Sequence, residues 1–65
     1  MKTVSESYIE GIKEGRAMFR AQGMDGAQEH IEALNILCKM FDASNPVGQS
    51  YRGERDFWRH KIKNA

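Results

Sequence analysis

Apolar residues recur at spacings of three and four in three stretches of the chain. Two clusters of helix breakers separate the stretches: Gln22-Gly23-Met24-Asp25-Gly26 and Ser44-Asn45-Pro46-Val47-Gly48. The pattern predicts one all-α domain over 1–65, with helices over about 4–22, 26–43 and 49–63.

In the first stretch, Thr3-Val4-Ser5-Glu6 fits a capping box, with Ser7 and Glu10 as a competing start one turn later. Tyr8, Ile12, Gly15 and Phe19 share one helix face, flanked by Gly11 and Met18. Glycine inside a helix costs ~0.8–1 kcal/mol. Gly11 and Gly15, one turn apart, either mark the close approach of another backbone or are simply tolerated.

The second stretch has Asp25 as its expected N-cap and Gly23 before it as the terminator of the first helix. Ala27, Ile31, Leu34, Cys38 and Phe41 form a stripe that Ala33, Ile36, Leu37 and Met40 widen. The apolar arc spans roughly 220°, whereas one helical partner needs only ~100°. Cover on two sides is expected, and a second copy of the chain is the economical source. The short connection to the first helix predicts an antiparallel helical hairpin. Pro46 is expected to stop the second helix, because Asn45 before it is steered away from helical ψ.

On the third helix, Tyr51, Trp58 and Ile62 share a face with Arg55, Phe57 points elsewhere and Gly53 weakens the start. The fold expected is therefore a hairpin plus a C-terminal helix, paired as an intertwined homodimer. Its core would be Tyr8, Ile12, Phe19, Ile31, Leu34, Leu37, Cys38, Phe41 and Trp58. Its dimer interface would use Gly11, Gly15, Met18, Ile31, Leu34, Ile36, Leu37, Met40 and Phe41.

Length strengthens the case for assembly. A chain of 65 residues buries only ~60% of the surface it exposes when unfolded. Small domains usually add disulfides, a metal or a partner chain. The single cysteine, Cys38, cannot close an internal bridge, which suits a reducing compartment. No leader-like opening and no apolar run of about 20 residues is present, so a cytoplasmic location without membrane contact is expected.

The net charge of +1 says little, but its distribution says more. Residues 1–48 carry five basic and seven acidic side chains, whereas 49–65 carry five basic and two acidic ones. The third helix thus presents Arg52, Arg55, Arg59, Lys61 and Lys63 as a candidate surface for a partner or for nucleic acid. Aromatic residues among these basic ones could stack on bases. Glu54 and Asp56 interrupt the charge, and a structural helix with a basic outer face explains the same run.

Reactive constellations are not found. His30, Cys38 and His60 have no metal-ligand spacing, so neither a metal nor a cofactor is expected. Cys38 lies on the most apolar stripe, about two turns from His30, and reads as an inert core thiol. Glu6, Glu10 and Glu14 form a row on the first helix that reads as a solvated face or as a docking surface for a basic partner. No catalytic residues are assigned, and no enzymatic activity is expected.

Two segments carry a resemblance. Pro46-Val47-Gly48-Gln49 followed by Arg52-Gly53-Glu54-Arg55-Asp56-Phe57-Trp58-Arg59 is one, and Ser5-Glu6-Ser7-Tyr8-Ile9-Glu10-Gly11-Ile12-Lys13-Glu14-Gly15-Arg16 is the other. Through them the chain resembles small early proteins from the exo–xis region of temperate lambda-like phages. The resemblance implies expression early in infection of a bacterial host. It also implies an effect on the host cell cycle or on the choice between lysis and lysogeny. The function expected is a regulatory or host-takeover adaptor acting on a host or phage protein. The alternative is a small DNA-binding modulator that uses the basic third helix.

Overall fold

The structure is a computed structural model that describes residues 3–64. Met1, Lys2 and Ala65, at the ends of the expected 1–65 unit, lie outside the described residues.

Helix α1 spans Val4–Gln22. Thr3 opens it as predicted, its Oγ1 accepting from the Glu6 backbone N–H at 3.1 Å. Gly23 closes it with φ of 64°, and its own N–H reaches the Phe19 carbonyl at 2.7 Å. Helix α2 spans Ala27–Met40. Its N-cap is Gly26 with φ of 72° and no side-chain cap, not the expected Asp25. The left-handed turn at Gly26 sets the chain direction here, and a glycine adopts it without steric strain. Helix α3 spans Pro46–Lys63, three residues longer at its start than expected. Pro46 does not mark the end of α2, which stops earlier at Met40, but opens α3. Its missing N–H and fixed φ suit the first helical position. Asn45 caps this start, its Oδ1 accepting from the Val47 N–H at 2.9 Å.

The described residues are thus three helices with no strand. Tyr8 and Gly11 of α1 lie level with Gly53 and Ser50 of α3, and Gly15 lies level with Phe57. These two helices therefore run parallel. Phe41 and Cys38 of α2 lie beside Gly48 and Arg52 of α3, while His30 stacks on Trp58. That pairing is antiparallel. So α1 and α2 point in opposite directions across the 23–26 connection, yet no Cα of one comes within 8 Å of the other. Each packs on α3, which is the central element.

The glycines explain why α1 and α3 approach so closely. A Cβ at Gly11 would fall on the Ser50 carbonyl, and a Cβ at Gly53 would fall on the Tyr8 carbonyl. Of the two readings of Gly11 and Gly15, close approach of a backbone holds at Gly11, where the incoming backbone is the chain's own α3, whereas Gly15 faces the Phe57 side chain.

The core forms where the three helices converge. Ala27, Ile31 and Leu34 bury against Trp58, which is 0% exposed, and Cys38 is buried further along α2. Phe57 does not point away from the core. It packs over Gly15 and meets Phe19 and Trp58 edge to face, at centroid distances of 6.2 and 5.7 Å. Tyr8, Ile12, Phe19, Leu37 and Phe41, also expected in the core, are half-buried.

Candidate functional site

The expected dimer interface is divided by the fold. Gly11 and Gly15 are buried against α3, and Ile31 and Leu34 are buried on Trp58. Within the single chain those four positions face the interior. Met18 and Leu37 are half-buried beside the core, and Phe41 is tilted against Tyr51 at 5.7 Å. Ile36 and Met40 remain outside, 62% and 69% exposed. They lie one turn apart on the side of α2 that α3 does not cover, with exposed Ala33 in the same row.

Most of the basic residues of α3 are engaged within the chain. Arg52 turns inward, its Nη2 donating to the carbonyls of Cys38 at 3.4 Å and Phe41 at 3.5 Å. It therefore caps the C-terminal end of α2, where a cation also meets the negative end of the helix dipole. Arg55 pairs with Asp56 at 3.4 Å. Arg59 donates to Asn35 of α2 at 3.2 Å. Lys61 lies over the Phe19 ring with Nζ 4.7 Å from the centroid, and Lys63 is exposed. By spacing, Arg52, Arg55, Arg59 and Lys63 share one side of α3 and Lys61 lies opposite, but Arg52, Arg55 and Arg59 are engaged within the chain.

A different basic cluster appears in the groove between α1 and α3. The groove encloses about 630 Å³, within the ~300–1,000 Å³ range of ligand sites. Ile12, Phe19 and Phe57 give it an apolar floor. Arg16 and Arg20 of α1 face His60 and Lys61 of α3 along one part of it. Among the described residues, no hydrogen bond or ion pair engages Arg16 or Arg20. At the other end, the Tyr8 hydroxyl donates to Asp56 Oδ2 at 2.6 Å. That bond, then burial and the Asp56 charge, holds the Tyr8 proton and raises its pKa above the ordinary 10.0, against an opposing effect of Arg55.

On the other flank of α3, partial burial raises the Glu54 pKa above 4.5. The Glu14 carboxylate raises it further, and His30 opposes the shift. No family model, curated protein or solved structure matches this chain.

Cys38 is buried, as the apolar stripe predicts. Among the described residues, no group of three or more His, Cys, Asp or Glu side chains is placed to hold a metal ion. No helix among them is long and apolar enough to cross a membrane.

The basic groove was not legible from the sequence, although a signal existed. Arg16 and Arg20 flank the Tyr8–Ile12–Phe19 stripe on one edge, and His60 and Lys61 flank Phe57 on its two sides. Only the parallel pairing of α1 with α3 brings the two edges together.

Proposed function

We propose that this chain is a small non-enzymatic adaptor that acts through protein–protein contact, with the outer face of α2 as its docking surface. The observation that carries this reading is the exposure of Ile36 and Met40, side by side on a helix whose opposite face is already packed. Burying two such side chains is worth ~1.5–3 kcal/mol each relative to leaving them in water. A second copy of the chain is the first occupant, pairing α2 with α2 so that each chain shields the other's strip. The pairing uses Ile36 and Met40, with Leu37 and Phe41 at the margins, and leaves the glycine faces inside each chain. The resemblance to phage early proteins supports a regulatory role for the pair, directed at a host or phage protein in the bacterial cytoplasm.

Light scattering on the full chain tests the reading. The expected mass is twice 7.4 kDa. Ile36→Glu combined with Met40→Glu should return it to the single-chain mass with an unchanged helical circular dichroism spectrum. A wild-type chain that stays at the single-chain mass at high micromolar concentration would refute the pairing.

A further inference from the structure

The groove between α1 and α3 joins three features that the α2 surface lacks. It is concave, it has an aromatic floor, and it is bordered by cations from two helices. We propose that it binds an acidic amphipathic peptide segment of a partner protein, with carboxylates on Arg16, Arg20 and Lys61 and an apolar side chain against Ile12, Phe19 and Phe57.

The charge argument comes first. Arg16 and Arg20 stand one turn apart on the same edge of α1, without an internal partner among the described residues. Guanidinium groups take carboxylates in a two-pronged geometry, so two of them a turn apart suit acids at a similar spacing on a facing segment. Lys61 adds a third cation from α3, and its ammonium is held over the Phe19 and Phe57 rings at 4.7 and 5.6 Å. A carboxylate entering there meets a charge already positioned beside an apolar surface.

The same geometry disfavours nucleic acid. Base stacking needs an open ring face, and the Lys61 ammonium lies over Phe19. The groove also changes sign along its length, because the Asp56 carboxylate lines the end near Tyr8. A phosphate backbone following the groove would run into that charge. A peptide with its acids clustered at one end and a neutral or apolar stretch at the other would not. Tyr8 and Arg20 are twelve positions apart on α1, or ~18 Å at 1.5 Å per residue. That length accommodates three turns of a docked helix.

The inference does not depend on pairing through α2, which uses another surface. Its test is selection from a displayed library of random peptides about 12 residues long, the groove length in helical form, against the immobilised full chain. Enriched peptides should combine Asp or Glu with Leu or Phe at helical spacing. Their affinity, read by fluorescence anisotropy, should fall about tenfold or more in Arg16→Glu combined with Arg20→Glu. It should stay within about twofold in Lys63→Glu and in Lys39→Glu, which lie off the groove. Circular dichroism verifies that each variant is folded. Should the charge-reversed variant misfold, Arg16→Gln combined with Arg20→Gln replaces it, with the same direction expected. Enrichment of basic peptides, no enrichment, or affinity indifferent to Arg16 and Arg20 would each overturn the proposal. So would tighter binding of a labelled thymidine oligonucleotide of the same length than of the selected peptides.

Discussion

Gly11 of α1 and Gly53 of α3 interlock: each occupies a place where a Cβ would strike a carbonyl of the opposite helix, Ser50 for Gly11 and Tyr8 for Gly53. Two helix backbones therefore touch through both residues at once. The contact requires the absence of a side chain on both sides, so neither glycine can be replaced without pushing the helices apart.

In an exposed helix, Gly→Ala is worth ~0.8–1 kcal/mol of added stability. Here the sign should reverse. Gly11→Ala and Gly53→Ala are each expected to destabilise the fold by about 2 kcal/mol or more, as overpacking does. Gly15→Ala should cost less, because its nearest obstacle at 2.8 Å is the Phe57 ring, a side chain that can shift. Urea denaturation of the three variants checks the order, and a stabilised Gly11→Ala would contradict the interlock.

Leu34 and Ile36 are near neighbours on α2 with opposite surroundings. Leu34→Ala should destabilise by ~2–5 kcal/mol, the usual range for a buried leucine. Ile36→Ala, at an exposed site, should change the stability of the single chain by no more than about 0.5 kcal/mol. Thermal unfolding at low protein concentration keeps any pairing from blurring the comparison.

Arg52 holds the end of α2, so its removal should act on stability rather than on a surface. Arg52→Ala is expected to cost about 1 kcal/mol, since both of its bonds are long and the cation also meets the helix dipole. Lys63→Ala, on the exposed end of the same helix, should be nearly neutral. Equal effects from the two would remove the capping role.

Glu54 makes stability depend on pH in a stated direction. Its pKa is raised in the fold, so the folded state holds the proton more tightly than the unfolded chain does. Its favourable contribution is complete below the ordinary value of 4.5 and is lost as pH rises through the raised value. At pH 7 the side chain is a partly buried anion near Glu14. Glu54→Gln should therefore raise the melting temperature at pH 7, and the advantage should shrink as pH falls toward 4.5. A Glu54→Gln variant with no such convergence would place Glu54 in ordinary solvent.

Helix existence was readable from local rules. The Thr3 cap and the Gly23 terminator act where the pattern put them, and the stripe from Ala27 to Cys38 supplies the buried face of α2. Reading Pro46 as a stop places the start of α3 three residues too late. The residues on either side decide its role, and with Asn45 capping Val47 it becomes a start. Periodicity sets Phe57 apart from the core because its angular position differs from that of Trp58. With helices on two sides of α3, Phe57 meets α1 while Trp58 meets α2.

By itself the sequence determined that the chain forms three helices, and which face of α2 is greasy, because caps, breakers and periodicity act over a few residues. It also singled out Gly11 and Gly15, with close approach of a backbone as one of two readings. Only the tertiary structure decided that α3 is the element approaching, that it stands between α1 and α2, and that Arg16 and Arg20 come to face His60 and Lys61. Those outcomes depend on contacts between residues some forty positions apart, such as Gly11 with Ser50, and no local period encodes which of two glycine-bearing helices will lie against the other.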